Sequence, residues 1–143
     1  EAIKQLHNPT TGFLIKGWIA DKKEAFINSR ICLAPLRFGA GQKGKLLDSM
    51  MYGTPSVTST IGAEGMLNAS KWNGFIEDNF SEFALMSAEI YRNESTWKNA
   101  QESGVEIINY IYDKEKLGPL FINKIKEVQE NLKCCILEVF ESS

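Results

Sequence analysis

Apolar residues change their spacing near the middle of this chain. In the first half they fall in short runs; in the second they recur every three or four positions. "GFLIKGWI" (12–19) predicts a strand opened by Gly12. "DKKEAFINS" (21–29) predicts a short helix, with Asp21 as N-cap, Glu24 at capping-box spacing, and Ala25 and Phe26 facing inward. "RICLAPL" (30–36) is a β-type run stopped by Pro35. "GKLLDSMMY" (44–52) places Leu46, Leu47, Met50 and Met51 on one helical face, with Gly53 and Pro55 as the stop. "SVTST" (56–60) predicts another strand.

Strand, helix, strand, loop, helix, strand spells βαβ units, hence an α/β fold built on a Rossmann-like parallel sheet. Such a sheet needs helices on both faces. The second half supplies helical spacing in three segments. These are 81–93 (Phe83, Ala84, Met86, Ile90, Tyr91), 95–112 (Trp97, Ala100, Gly104, Ile107, Ile108, Ile111) and 117–132 (Leu120, Phe121, Ile125, Val128, Leu132). The opening "EAIKQLHNPTTG" reads as the end of a helix and a turn, so the chain is expected to be a piece of a longer protein.

Composition supports a single domain over 1–143: 43% hydrophobic residues can fill a core and exclude a disordered chain. The net charge of −2 gives no electrostatic reason to expect nucleic acid as a partner. The cysteines are Cys32, in an apolar run, and the adjacent Cys134 and Cys135. Their spacing offers no zinc site, and their odd number favours a reducing compartment. No apolar run approaches 18 residues, so a cytoplasmic location is expected, with peripheral contact at the inner face of a membrane left open.

Residues 39–45, Gly-Ala-Gly-Gln-Lys-Gly-Lys, match G-x-x-x-x-G-K, but Leu46 stands where a P-loop needs Ser or Thr for magnesium. Four residues also separate the strand core from Gly39, so a P-loop NTPase is rejected. The physics of the stretch survives. Its glycines let the backbone approach a ligand, and it opens into a helix whose free amides and positive dipole end attract an anion. Lys43 and Lys45 add charge there. Asp48 lies four residues after Gly44, about 6 Å along a helix axis and off its apolar stripe. Its carboxylate could clasp a vicinal diol while the helix start holds phosphates. The competing reading is a glycine-rich turn with solvated lysines and a surface Asp. A dinucleotide oxidoreductase fits the glycine spacing, but the loop follows a later strand and Asp48 comes too soon for the ribose acid.

Pro35 to Met66, "PLRFGAGQKGKLLDSMMYGTPSVTSTIGAEGM", resembles the donor-binding segment of GT-B glycosyltransferases, specifically the retaining family called glycosyl transferases group 1. The flanks "GWIADKKEAFINSRICLAP" and "NGFIEDNFSEFA" resemble it too. The resemblance implies the carboxy-terminal half of a GT-B fold, truncated before its first strand and helix and lacking the acceptor domain. It implies an enzyme of hexosyltransferase type, inactive as an isolated domain and serving polysaccharide biosynthesis. The partners implied are a nucleoside diphosphate sugar and a glycan or lipid-linked acceptor, with no cofactor and no metal. By position, Gly39, Ala40, Gly41, Gln42, Lys43, Gly44 and Lys45 form the donor-binding loop, and Asp48 matches the acid that the family assigns to ribose. Glu64 falls in a loop facing the cleft. Ala40 stands where many members carry the first acid of E-x7-E. A non-catalytic nucleotide-sugar-binding module is the alternative that this invites. No residue is assigned as catalytic.

The remaining candidates read as structural. His7 precedes the turn signal Asn8-Pro9; Trp18, Trp72 and Trp97 read as core or interdomain packing; Lys22-Lys23 and 114–116 read as solvated patches. "CCILEVF" (134–140) is apolar enough to pack on the domain, on an absent half or on a second copy.

Overall fold

The computed structural model describes residues 2–66 and 71–141, those from 132 onward by backbone alone. Two 3-10 turns, Ala2–Leu6 and Pro9–Thr11, open the chain. There follow α1 (Lys22–Ile27), β1 (Cys32–Ala34), α2 (Gly44–Met51), β2 (Ser56–Thr58) and α3 (Thr60–Ala63). Then come β3 (Gly74–Ile76), α4 (Phe80–Arg92), α5 (Glu94–Ile111) and α6 (Lys114–Glu141).

The three strands form a parallel sheet in the order β1-β2-β3. Leu33, Val57 and Phe75 are in register, as are Ala34, Thr58 and Ile76. Alternation along a strand therefore sends these two rows to opposite faces. Ala34 joins Leu46, Met50, Ala63, Met66, Trp72 and Ile107 in one core, with Ile76 packed against it. Val57 joins Phe83, Ile90 and Ala100 in the other, with Ile31, Phe75 and Trp97 alongside. Helices therefore cover both faces, as the alternating pattern predicts. Helix α5 reaches both cores, through Ala100 and Ile107.

Local chemistry sets the element ends. Asp21 caps α1 by accepting from the Lys23 amide at 2.8 Å. The Glu24 return bond of a capping box is not formed among the described residues. Gly53 follows α2 at φ 70°, with its N–H on the Met50 carbonyl, and Pro55 leads into β2. Asn79 and Asn93 cap α4 and α5 through their side-chain oxygens.

Several expectations are corrected. Residues 12–19 are not a strand. Asn8 and Phe13 make one antiparallel bridge, and Gly12 and Gly17 take φ of 79° and 70°, which interrupts any extended run. Met51 and Ala25 are exposed rather than inward. Phe26 is half-buried, its ring stacked on Tyr52 with centroids 6.0 Å apart. On α4, Ala84 and Tyr91 face solvent. Trp18 is 85% exposed and no part of the core, whereas Trp72 is buried. Trp97 is half-buried, donates to the Arg30 carbonyl at 2.7 Å and lies under the Arg30 guanidinium. Helix α6 has the predicted periodicity, but Leu120, Phe121, Ile125 and Val128 are all exposed. Leu132 and the 134–140 run lie outside the described side chains.

Candidate functional site

In a parallel sheet every strand delivers its following loop to the same edge. Here the loops after Ala34, Thr58 and Ile76 meet at the carboxyl ends of the strands. A cleft of about 250 Å³ opens there, walled by Pro35, Leu36, Arg37, Ser59, Glu77 and Asp78 among others. Its Arg37 wall is two residues from Gly39.

The glycine turn follows directly. Gly39 and Gly41 take φ of 138° and 69°, which a side chain would strain. Gly39, Ala40, Gly41, Gln42, Gly44 and Lys45 are exposed, and Lys43 is half-buried. Lys43 occupies the N-cap of α2 with extended backbone and no side-chain cap hydrogen bond. Its Nζ instead donates to the Gly41 carbonyl, folding the turn over itself. The Leu46 and Leu47 amides both go to the Lys43 carbonyl, at 2.8 and 3.2 Å. The first amides of α2 are thus not closed by a side-chain cap, and this end carries the positive pole of the helix. Burial pushes the Cys32 thiol up, and the Lys45 ammonium pulls it down less strongly.

Gln42 bridges outward, donating through Nε2 to the Gly65 carbonyl at 3.2 Å. This bond brings the glycine turn against the loop after α3, where Glu64 is exposed. Tyr112, which the sequence did not single out, is a further neighbour. Burial raises its phenol, and Gln42 lies close enough to oppose that rise but outside hydrogen-bonding geometry. The Tyr112 hydroxyl is therefore buried without a partner among the described residues. Tyr112→Phe is expected to leave the urea midpoint unchanged or raised, because an unsatisfied buried hydroxyl costs about 1–3 kcal/mol. A lowered midpoint would mean that the hydroxyl has a partner.

Asp48 faces neither the core nor open solvent. Its side chain is 17% exposed, and both carboxylate oxygens accept from Lys22 Nζ, at 2.8 and 2.9 Å. That bond holds the Lys22 ammonium above its usual range. Lys22 is thus solvated, as its mixed-charge neighbourhood predicts, and is in addition an ion-pair partner of Asp48. Two other contacts hold α1 here: the Phe26–Tyr52 stack, and Thr54 Oγ1 donating to the Phe26 carbonyl at 2.9 Å.

Three parallel strands sheathed by helices, with a glycine turn at their carboxyl edge feeding a helix start, define a Rossmann-like α/β domain. The glycosyl transferases group 1 family matches residues 1–93, and the chain belongs to that family. The domain is accordingly of GT-B type, and its chemistry is glycosyl transfer. No curated protein and no solved structure matches the chain. Among the described residues, no helix is long and apolar enough to cross a membrane.

Proposed function

We propose that this domain binds a nucleoside diphosphate sugar and serves its transfer, with retention, to a hydroxyl of a glycan or lipid-linked acceptor. One observation carries the reading: the Gly39–Lys45 turn leads into a helix start without a side-chain cap, and Asp48 sits one turn along, off the core. The diphosphate would lie on the first amides of α2, with Lys43 and Lys45 beside it. The Asp48 carboxylate would take the ribose hydroxyls. Glu64, brought near by the Gln42–Gly65 bond, would face the sugar side.

In the reaction the bond from the anomeric carbon to the diphosphate oxygen breaks, and the acceptor oxygen bonds to that carbon as its proton passes to the departing diphosphate. Charge develops on the departing diphosphate. Amides fixed in place before the reaction stabilise it without reorganising. Binding the ribose contributes by positioning. No protein nucleophile, cofactor or metal is invoked. The unit transferred is of hexose type, and the place of work is the cytoplasm, with peripheral contact at a membrane where the acceptor is lipid-linked. The acceptor side would come from a domain outside this chain, and the isolated chain would bind donor without turning it over.

The test is a calorimetric screen of UDP-, GDP- and ADP-sugars. Lys43→Ala and Asp48→Ala should each weaken the bound donor about tenfold or more, the size of a lost charge-assisted hydrogen bond. Lys124→Ala on exposed α6 should change nothing. Donor binding that ignores both site variants would overturn the proposal. Ala40 favours a second reading, a binding module without turnover, because it leaves no carboxylate at that place in the turn. Transfer assayed with the intact protein separates the two.

A further inference from the structure

The geometry points to Lys22 as a specificity-determining residue that reads the ribose together with Asp48. This rests on the donor-binding reading above and extends it to a residue on a different helix. The two side chains come from helices 26 positions apart in sequence, yet Lys22 Nζ lies within hydrogen-bonding distance of both Asp48 oxygens. Stability gives little reason for this pair. The Lys22 side chain is 62% exposed, and such ion pairs contribute little. Helix α1 is already docked by the Phe26–Tyr52 stack and the Thr54–Phe26 bond.

The pair has a definite chemical complement. An ammonium only donates and an ionised carboxylate only accepts, whereas a hydroxyl does both. A vicinal diol can donate its two protons to the carboxylate while one of its oxygens accepts from the ammonium. Each Asp48 oxygen keeps a lone pair beyond its bond to Lys22, and Lys22 keeps a proton. A phosphate would meet attraction from Lys22 and repulsion from Asp48, so it gains little. The dyad therefore favours a neutral, hydroxyl-rich group over an anion, while phosphate is left to the glycine turn. Asp48 is short, and the long Lys22 stem supplies reach that the carboxylate lacks. The Asp21 cap fixes the backbone from which that stem leaves.

The experiment measures the affinity of the chain for UDP, GDP and ADP, then for the 2′-deoxy form of whichever binds tightest. The wild type should prefer the ribonucleotide by about tenfold or more, the size of a hydrogen bond to a charged group. Lys22→Met should cut that preference about threefold or more with the melting temperature unchanged, and Lys22→Arg should restore part of it. A preference unaltered in Lys22→Met, but lost in Asp48→Asn, overturns this inference and leaves donor binding standing. An equal gain in affinity for both sugars would make Lys22 a mere competitor for Asp48 and overturns it as well. Failure of every nucleotide to bind the wild type removes the donor reading and this inference with it.

Discussion

Gly74→Ala is expected to remove about 3 kcal/mol or more of stability, a large share of what a domain this size holds. Gly74 opens β3 at φ 142°, directly opposite Ser56 in the register. A Cβ there would overlap the Ser56 carbonyl oxygen and crowd Ile90 Cδ1 at 3.1 Å. Ser56 cannot step aside. Its amide donates to the Asn73 carbonyl at 2.7 Å, and its hydroxyl donates to Asn73 Oδ1 at 2.6 Å. Gly12→Ala separates the two costs, because Gly12 has φ 79° but open space around it. It should lose only about 1 kcal/mol from backbone strain. Urea denaturation followed by circular dichroism measures both, and equal losses would refute the steric argument.

The second large effect is Leu46→Ala, expected to cost about 2–5 kcal/mol. Leu46 is 0% exposed and packs in the core that holds Ala34, Met50, Ala63 and Ile107. Alanine would leave a cavity beneath the first turn of α2. The same turn carries Lys43 and leads to Asp48, so nucleotide affinity should fall along with the urea midpoint. Met51→Ala, 60% exposed on the same helix, should stay within about 0.5 kcal/mol. A Leu46→Ala midpoint indistinguishable from that of Met51→Ala would show that this core does not hold α2.

What could be read from sequence was local. Gly53 and Pro55 end α2 because one supplies a left-handed residue and the other cannot continue a helix. The apolar runs around Ala34 and Val57 become strands because both are buried by the helices that follow them. The glycine turn was legible for the same reason: Gly39, Gly41 and Gly44 fall within one short stretch, and the helix start needs no distant partner. Contacts between distant segments were not legible. Lys22 with Asp48, Gln42 with Gly65 and Tyr112 beside Gln42 join positions whose spacing carries no periodic signal. Period alone also misplaced Met51, since a helix of Gly44–Met51 buries a narrower stripe than its apolar letters suggest. The run at 12–19 has strand composition, but its glycines break the extended run and only Asn8 and Phe13 pair there.

Helix α6 has a consequence for how the molecule comes apart. Its described side chains, Lys114 to Asn131, lie outside both cores. Melting its described part, Lys114 to Asn131, therefore uncovers little apolar area and draws on little of the free energy that holds the strands. Heat or denaturant should unwind it as a separate, weakly cooperative event, so far-ultraviolet ellipticity would begin to fade while the buried indole of Trp72 still reports an intact interior.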